Sequence, residues 1–131
     1  MGAPGPSDRL HVDPHVPLAR AAQLIERPWD PFIIAQAHGM DVRLVRVAGE
    51  FTWHAHPEAD EIFILISGEF GIDFRDRRVV LSPGDLVKVP RTVEHKPYSP
   101  SSALVYVIEP QDVVNTGDRP GELTRAALKR L

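Results

Sequence analysis

The sequence predicts an all-β domain in which about eight short antiparallel strands form a sandwich or a jelly-roll barrel. From Asp41 onward, apolar residues recur with a period of two, and turn residues separate the apolar runs at short intervals. Thirteen Pro and nine Gly among 131 residues fit many short strands and argue against a helical bundle. No long helical pattern lies between the strands, so a βαβ fold is not expected.

The strands follow one another closely along the chain, each bounded by Gly, Pro or other turn residues. We expect them at residues 42–48, 51–56, 61–67, 69–75, 79–81, 86–89, 94–98 and 103–109. Before them, residues 18–26 predict a short helix that Pro28 ends, and residues 31–37 predict an extended arm. After them, residues 123–131 are compatible with one short helix.

A single domain of ordinary size is expected, because 131 residues can bury a core without disulfides and Cys is absent. Residues 1–16 are expected to be a disordered N-terminal segment, since residues 1–9 are rich in Gly, Pro and Ser. Residues 17–111 are expected to form the domain with its N-terminal arm. Residues 112–131 are expected to form a C-terminal tail.

Charge and hydropathy exclude several classes of partner. The net charge is −3, and the 15 basic residues are scattered among 18 acidic ones, so no basic stripe for nucleic acid is present. No run approaches 18 consecutive apolar residues, so no membrane contact is expected. The N-terminus lacks the basic and apolar regions of a signal peptide, and we expect a cytoplasmic protein.

Two predicted strands are apolar on both faces, at residues 62–66 and 104–108. A strand in a simple two-sheet sandwich should alternate, with one polar face. Both faces must therefore be covered, either by the N-terminal segment or by another subunit. We expect a homodimer to which residues 17–37 contribute.

Four residues form a candidate ligand set for a divalent metal: His54, His56, Glu61 and His95. On a strand, alternate side chains share a face, so His54 and His56 would point the same way. On a helix, residues two apart diverge by roughly 200°, which does not suit one ion. Glu61 and His95 belong to other strands and would reach the same point only if the sheet closes on itself.

Two motifs carry a resemblance to a known family. The first reads Gly49, four residues, His54-Ala55-His56, four residues, Glu61, six residues and Gly68. The second keeps Gly84, Pro90 and His95 in register, with Thr92 and Ser99 in place of a Gly and an Asn. Over roughly residues 17–125, the chain resembles the cupins, and within them a branch of small single-domain bacterial proteins.

The resemblance implies a cupin jelly-roll β-barrel whose metal ligands are His54, His56, Glu61 and His95. Fe(II), Mn(II), Ni(II) and Zn(II) all suit this donor set. Four protein ligands on a six-coordinate ion leave two positions open, whereas on tetrahedral zinc they close the site. Members of the branch are often labelled sugar-phosphate-isomerase-like, on fold-level analogy alone.

Three functions follow from these observations. The first is a metal-dependent enzyme acting on a small oxygenated metabolite, by isomerase or lyase chemistry or, with iron, as a dioxygenase. The second is a module that binds or senses a small ligand or a metal, and the third is a structural cupin with a closed zinc site. No general base besides the ligands is evident in the sequence, so the catalytic residues stay unassigned.

Strand parity identifies further candidates around the metal. Thr52, Phe63 and Leu65 share the face of the ligands and are expected to line the pocket. Tyr98 would join them if a bulge turns it inward. Asp60 is a candidate for orienting a ligand His through its second ring nitrogen, although a turn role is equally compatible.

Overall fold

The computed structural model describes residues 15–130, which contain one short helix and eight strands. The elements are α1 Leu18–Gln23, β1 Phe32–Ala37, β2 Met40–Glu50, β3 Glu61–Gly68, β4 Phe70–Phe74, β5 Arg78–Leu81, β6 Leu86–Val89, β7 His95–Pro110 and β8 Lys129–Arg130. Most of the segment expected to be disordered, residues 1–16, lies outside the described residues. Within those residues, no helix is long and apolar enough to cross a membrane.

Strand β7 organises the sheet. Along one edge it pairs antiparallel with β2 over nearly its whole length, and along the other edge its first residues pair with β4 and its last with β3. β5 pairs with β4, β6 pairs with β3, and β1 pairs with β2. This arrangement confirms the predicted all-β jelly-roll fold with a short N-terminal helix.

Two expected strands are in fact one. Residues 94–98 and 103–109 were expected to be separate strands, yet β7 is continuous across Pro100 and the three serines that lie between them. The ladder between β2 and β7 passes from Val47↔Ala103 to Gly49↔Ser99, so the extra residues form a bulge opposite Ala48.

The expected strand at residues 51–56 is wrong, because this segment makes only one bridge, between His54 and His95. Residues 123–131 were compatible with a short helix, but residues 123–130 form none. The Asn115 side chain donates to the Leu123 carbonyl and accepts from the Arg125 backbone N–H, and these bonds hold the tail along the domain. The tail then ends in β8, which runs parallel to β1.

The sheet has apolar side chains on both faces. The inner face forms the main core, around Val45, Phe63 and Val105. On the outer face, Leu44 and Leu104 are buried beneath α1 and β1. The N-terminal segment of the same chain therefore covers part of the second apolar face that the sequence indicated.

Candidate metal centre

His54, His56, Glu61 and His95 lie together, each offering one ligand atom within 4.8 Å of the others. All four side chains are buried. They come from three places in the fold: the segment between β2 and β3, the first residue of β3 and the first residue of β7. β7 pairs with β3 and bridges His54, so the sheet itself brings these distant residues to one point.

A pair of backbone hydrogen bonds joins His54 and His95, with each N–H donating to the other's carbonyl at 3.0 and 2.9 Å. Each imidazole is also fixed by a carbonyl two residues earlier. His54 Nδ1 lies 2.9 Å from the Thr52 carbonyl, and His95 Nδ1 lies 3.0 Å from the Val93 carbonyl. A carbonyl oxygen can only accept, so each Nδ1 carries the proton and each Nε2 presents a lone pair.

Glu61 faces two of the imidazoles through a single oxygen. Its Oε1 lies 3.1 Å from His95 Nε2 and 3.4 Å from His56 Nε2. His56 Nε2 is buried and makes no hydrogen bond in the described part of the chain. Such an atom is costly unless something else satisfies it, and a divalent ion among these donors would do so. The donor set therefore fits a first-row divalent metal.

Burial and electrostatics set the charge states of the donors. Burial, together with the nearby His95, lowers the pKa of His54 to about 4. Burial alone would raise the pKa of Glu61, but the imidazoles of His56 and His95 lower it below its ordinary value. At neutral pH the site thus offers a neutral His54 and an ionised carboxylate, the states in which these groups bind metals.

The C-terminal tail holds the backbone between the two histidines of the first motif. Asp118 accepts a hydrogen bond from the Ala55 N–H at 2.8 Å, and its own N–H donates to the Ala55 carbonyl at 3.0 Å. Gly117 lies so close that a side chain there would collide with the Ala55 carbonyl. This clamp explains how residues 54–56 are held in place without a strand partner on that side.

A cavity of about 40 Å³ adjoins the ligands, and His54 and Glu61 form part of its wall. Most of the remaining wall is apolar and aromatic, including Trp29, Phe51 and Phe63. Glu109 is also one of the lining residues of this cavity. The space amounts to room for about three water molecules, so it suits a small ligand.

A buried ionic network holds Glu109. Arg43 donates from Nη1 to Glu109 Oε1 at 2.6 Å and to the Val113 carbonyl at 2.9 Å. Its Nε and Nη2 donate to Asp41 Oδ2 at 3.1 and 2.9 Å. Burial and the neighbouring negative charge of Glu61 raise the pKa of Glu109 well above its ordinary value, although Arg43 acts in the opposite direction.

Sequence reasoning missed Glu109, although a signal was present. In β7, Val105 and Val107 are buried at alternate positions, and Glu109 occupies the next position of the same buried face. In β2, Arg43 continues the same pattern before Val45. A charged residue at a buried position of an apolar alternation marks a paired or functional group.

The other sequence-derived candidates lie at different distances from the cavity. Phe63 lines it, whereas Thr52 lines a separate surface groove beside residues 116–123. Leu65 is fully buried in the main core, and Tyr98 is buried against Gly71 with Arg78 stacked over its ring.

Asp60 does not hydrogen bond to an imidazole in the described part of the chain. Its carboxylate accepts from the Arg91 backbone N–H at 2.9 Å. The Nδ1 atoms of His54 and His95 are held instead by backbone carbonyls, which no residue pattern reveals.

The fold and the site together define a jelly-roll protein with a buried cluster of three imidazoles and one carboxylate. A family model described as Cupin domain matches residues 42–110. The chain therefore belongs to the cupin family, which confirms the resemblance drawn from the two motifs.

Relatives in several bacteria share this domain. Uncharacterized protein YdbB of Bacillus subtilis (strain 168) is 39% identical over 66 residues, which are 50% of this chain and only 58% of that protein. A cupin-2 domain containing protein from Shewanella frigidimarina is 35% identical, with a TM-score of 0.72 over 73% of this chain and 94% of its own. The DMSP lyase DddQ from Ruegeria pomeroyi is 25% identical, with a TM-score of 0.51 over 60% of this chain and 41% of its own.

We expect the metal-free protein to lose stability as the pH falls from 7 to 4. An unfolded His54 binds a proton near its ordinary pKa of 6.5, whereas the folded one does so only near 4. The unfolded state therefore binds more protons in this window, and protonation of this one residue removes roughly 3 kcal/mol of stability by pH 4. Urea unfolding at several pH values measures the effect.

The matched control is His54→Gln, which removes this titrating group and keeps all the others. Its free energy of unfolding should fall less on acidification than that of the wild-type protein. The same pH dependence in both proteins would show that His54 is not the group responsible.

Proposed function

We propose that this cupin is a metal-dependent enzyme that acts on a small oxygenated metabolite. The supporting observation is that the buried donor cluster adjoins a cavity. His54 and Glu61 belong to the cluster and also line the cavity. A donor cluster beside an internal space lets a substrate reach the ion. A structural site needs no such space.

The four donors would hold the metal, with the Nε2 atoms of the three histidines and a Glu61 oxygen as ligands. When bound, a divalent ion there supplies a Lewis acid that polarises a substrate carbonyl or, if it is iron, a centre for reaction with dioxygen. The protein's own groups do the rest. Carbonyls orient His54 and His95, the mostly apolar wall limits the water beside the ligands, and Glu109 is a lining residue with a carboxyl group.

Isomerase or lyase chemistry is the form of this proposal that we favour. DddQ carries the name of a lyase and shares the fold, which supports an enzyme over a purely structural protein. Glu109 lines the cavity and is not one of the metal ligands. Its carboxyl is the kind of group that can transfer a proton next to a substrate carbonyl.

Elemental analysis of the native purified protein tests the proposal. We expect close to one divalent metal ion per chain, and loss of that ion in both His54→Ala and His95→Ala, because each variant removes an Nε2 donor. His38→Ala is the matched control, since His38 is exposed and distant in the sequence from the cluster. Full metal occupancy in either ligand variant would contradict the ligand set. If iron is found, oxygen-consumption screening follows.

We also propose that the protein is a homodimer. Ile64 and Leu86 lie opposite each other on the outer face of β3 and β6, and Ile62 lies opposite Ile108 on β3 and β7. The helix α1 and strand β1 leave the part of the outer face around β3 and β6 partly exposed, and Leu86 is 58% exposed. A second copy of the chain is the occupant we propose, because an equal apolar patch on each protomer is self-complementary about a two-fold axis.

Sedimentation analysis at micromolar concentration should give twice the mass of the chain. Ile64→Lys should give a monomer, because it introduces a charge in the middle of the patch. Val80→Lys is the matched control, since Val80 is exposed on β5, outside the patch. A monomeric wild-type protein, or a dimeric Ile64→Lys variant, would contradict the proposal.

A further inference from the structure

We propose that Glu109 binds the substrate, and that the substrate is a small hydroxylated carbonyl or carboxyl compound whose hydroxyl meets Glu109 Oε2. This inference rests on the proposed metal-dependent function and specifies its substrate class. In this proposal the substrate makes two polar contacts in the cavity. One is with the metal held by the four ligands, and the other is with Glu109.

The first support is an atom without a partner. Glu109 is 2% exposed, and its Oε2 is buried without a hydrogen bond in the described part of the chain. Its Oε1 is taken by Arg43. A buried carboxyl oxygen without a partner is destabilising, so a polar ligand that reaches it gains a hydrogen bond that the protein alone does not supply.

The second support is that the network prevents Glu109 from turning away. Arg43 is 2% exposed and holds Glu109 Oε1 while Asp41 and the Val113 carbonyl hold Arg43. Arg43 therefore fixes one oxygen of Glu109, and Oε2 is left without a hydrogen-bond partner among the described residues, in a carboxyl that lies next to that of Glu61. A hydroxyl is the matching ligand group, because it can both donate and accept and so pairs with a carboxyl in either protonation state.

Size and charge narrow the ligand further. A cavity of about 40 Å³ is small, so only a small group of the ligand fits beside Glu109. Among the described residues that line it, Arg43 is the one cation apart from histidine, and four hydrogen bonds to protein acceptors already use it. Beside Glu109 a phosphate group would find no free cationic side chain, so we expect the part of the substrate that reaches Glu109 to be unphosphorylated.

The test measures binding of two probe ligands, glycolate and acetate, to the cobalt(II)-loaded full-length protein by visible absorption and calorimetry. The two probes differ by one hydroxyl. We expect the wild-type protein to bind glycolate at least tenfold more tightly than acetate, and Glu109→Met to lose that preference. Glu58→Met is the matched control, since Glu58 is exposed and lies near His56 but outside the cavity. It should keep the preference.

Two outcomes would overturn the assignment of Glu109. One is a wild-type protein without a glycolate preference, and the other is a preference that persists in Glu109→Met. If Glu109→Met does not fold, a crystal structure of the wild-type cobalt–glycolate complex decides. A glycolate hydroxyl within about 3.2 Å of Glu109 supports the proposal, and one beyond hydrogen-bonding range overturns it. Failure to bind cobalt at all would instead contradict the proposed metal-dependent function.

Discussion

The backbone bridge between His54 and His95 is the interaction on which the candidate site depends. It joins a segment without strand neighbours to the first residue of β7, the longest strand of the sheet. Because β7 also pairs with β3, the same strand places Glu61 beside the two histidines. The ligand geometry is thus a consequence of sheet pairing, and two carbonyls then fix which ring nitrogen faces the centre.

This arrangement requires a set of buried polar groups that a purely apolar barrel would not contain. Histidines, Glu61, Glu109, Arg43 and Asp41 lie at one end of the inner face, while valines and phenylalanines fill the rest. Most of these polar groups satisfy one another. In the described part of the chain, three buried side-chain atoms have no hydrogen-bond partner: His56 Nε2, Glu109 Oε2 and Arg125 Nε. Two of the three belong to residues of the donor cluster and the adjoining cavity, where ligands would bind.

Alternation and turn residues were enough to predict an antiparallel all-β fold and most of its strands, because the inner face of the sheet is buried in one main core. The spacing of the histidines was enough to predict that four donors converge. Other features depend on contacts between distant residues. The segment around Ala55 takes its hydrogen bonds from Asp118 in the tail, and Asn115 holds the tail out of a helix. Glu109 was overlooked because its importance lies in the neighbours that sheet pairing gives it.

The central claim is that this site holds a metal with coordination positions open to the cavity. X-ray absorption spectroscopy at the metal edge, on the metal-loaded full-length protein, tests it most directly. The account predicts three imidazole nitrogens and one carboxylate in a shell of about five or six donors, with the remainder being exchangeable oxygen. A shell of four protein donors in tetrahedral geometry would contradict it, because no position would remain for a substrate.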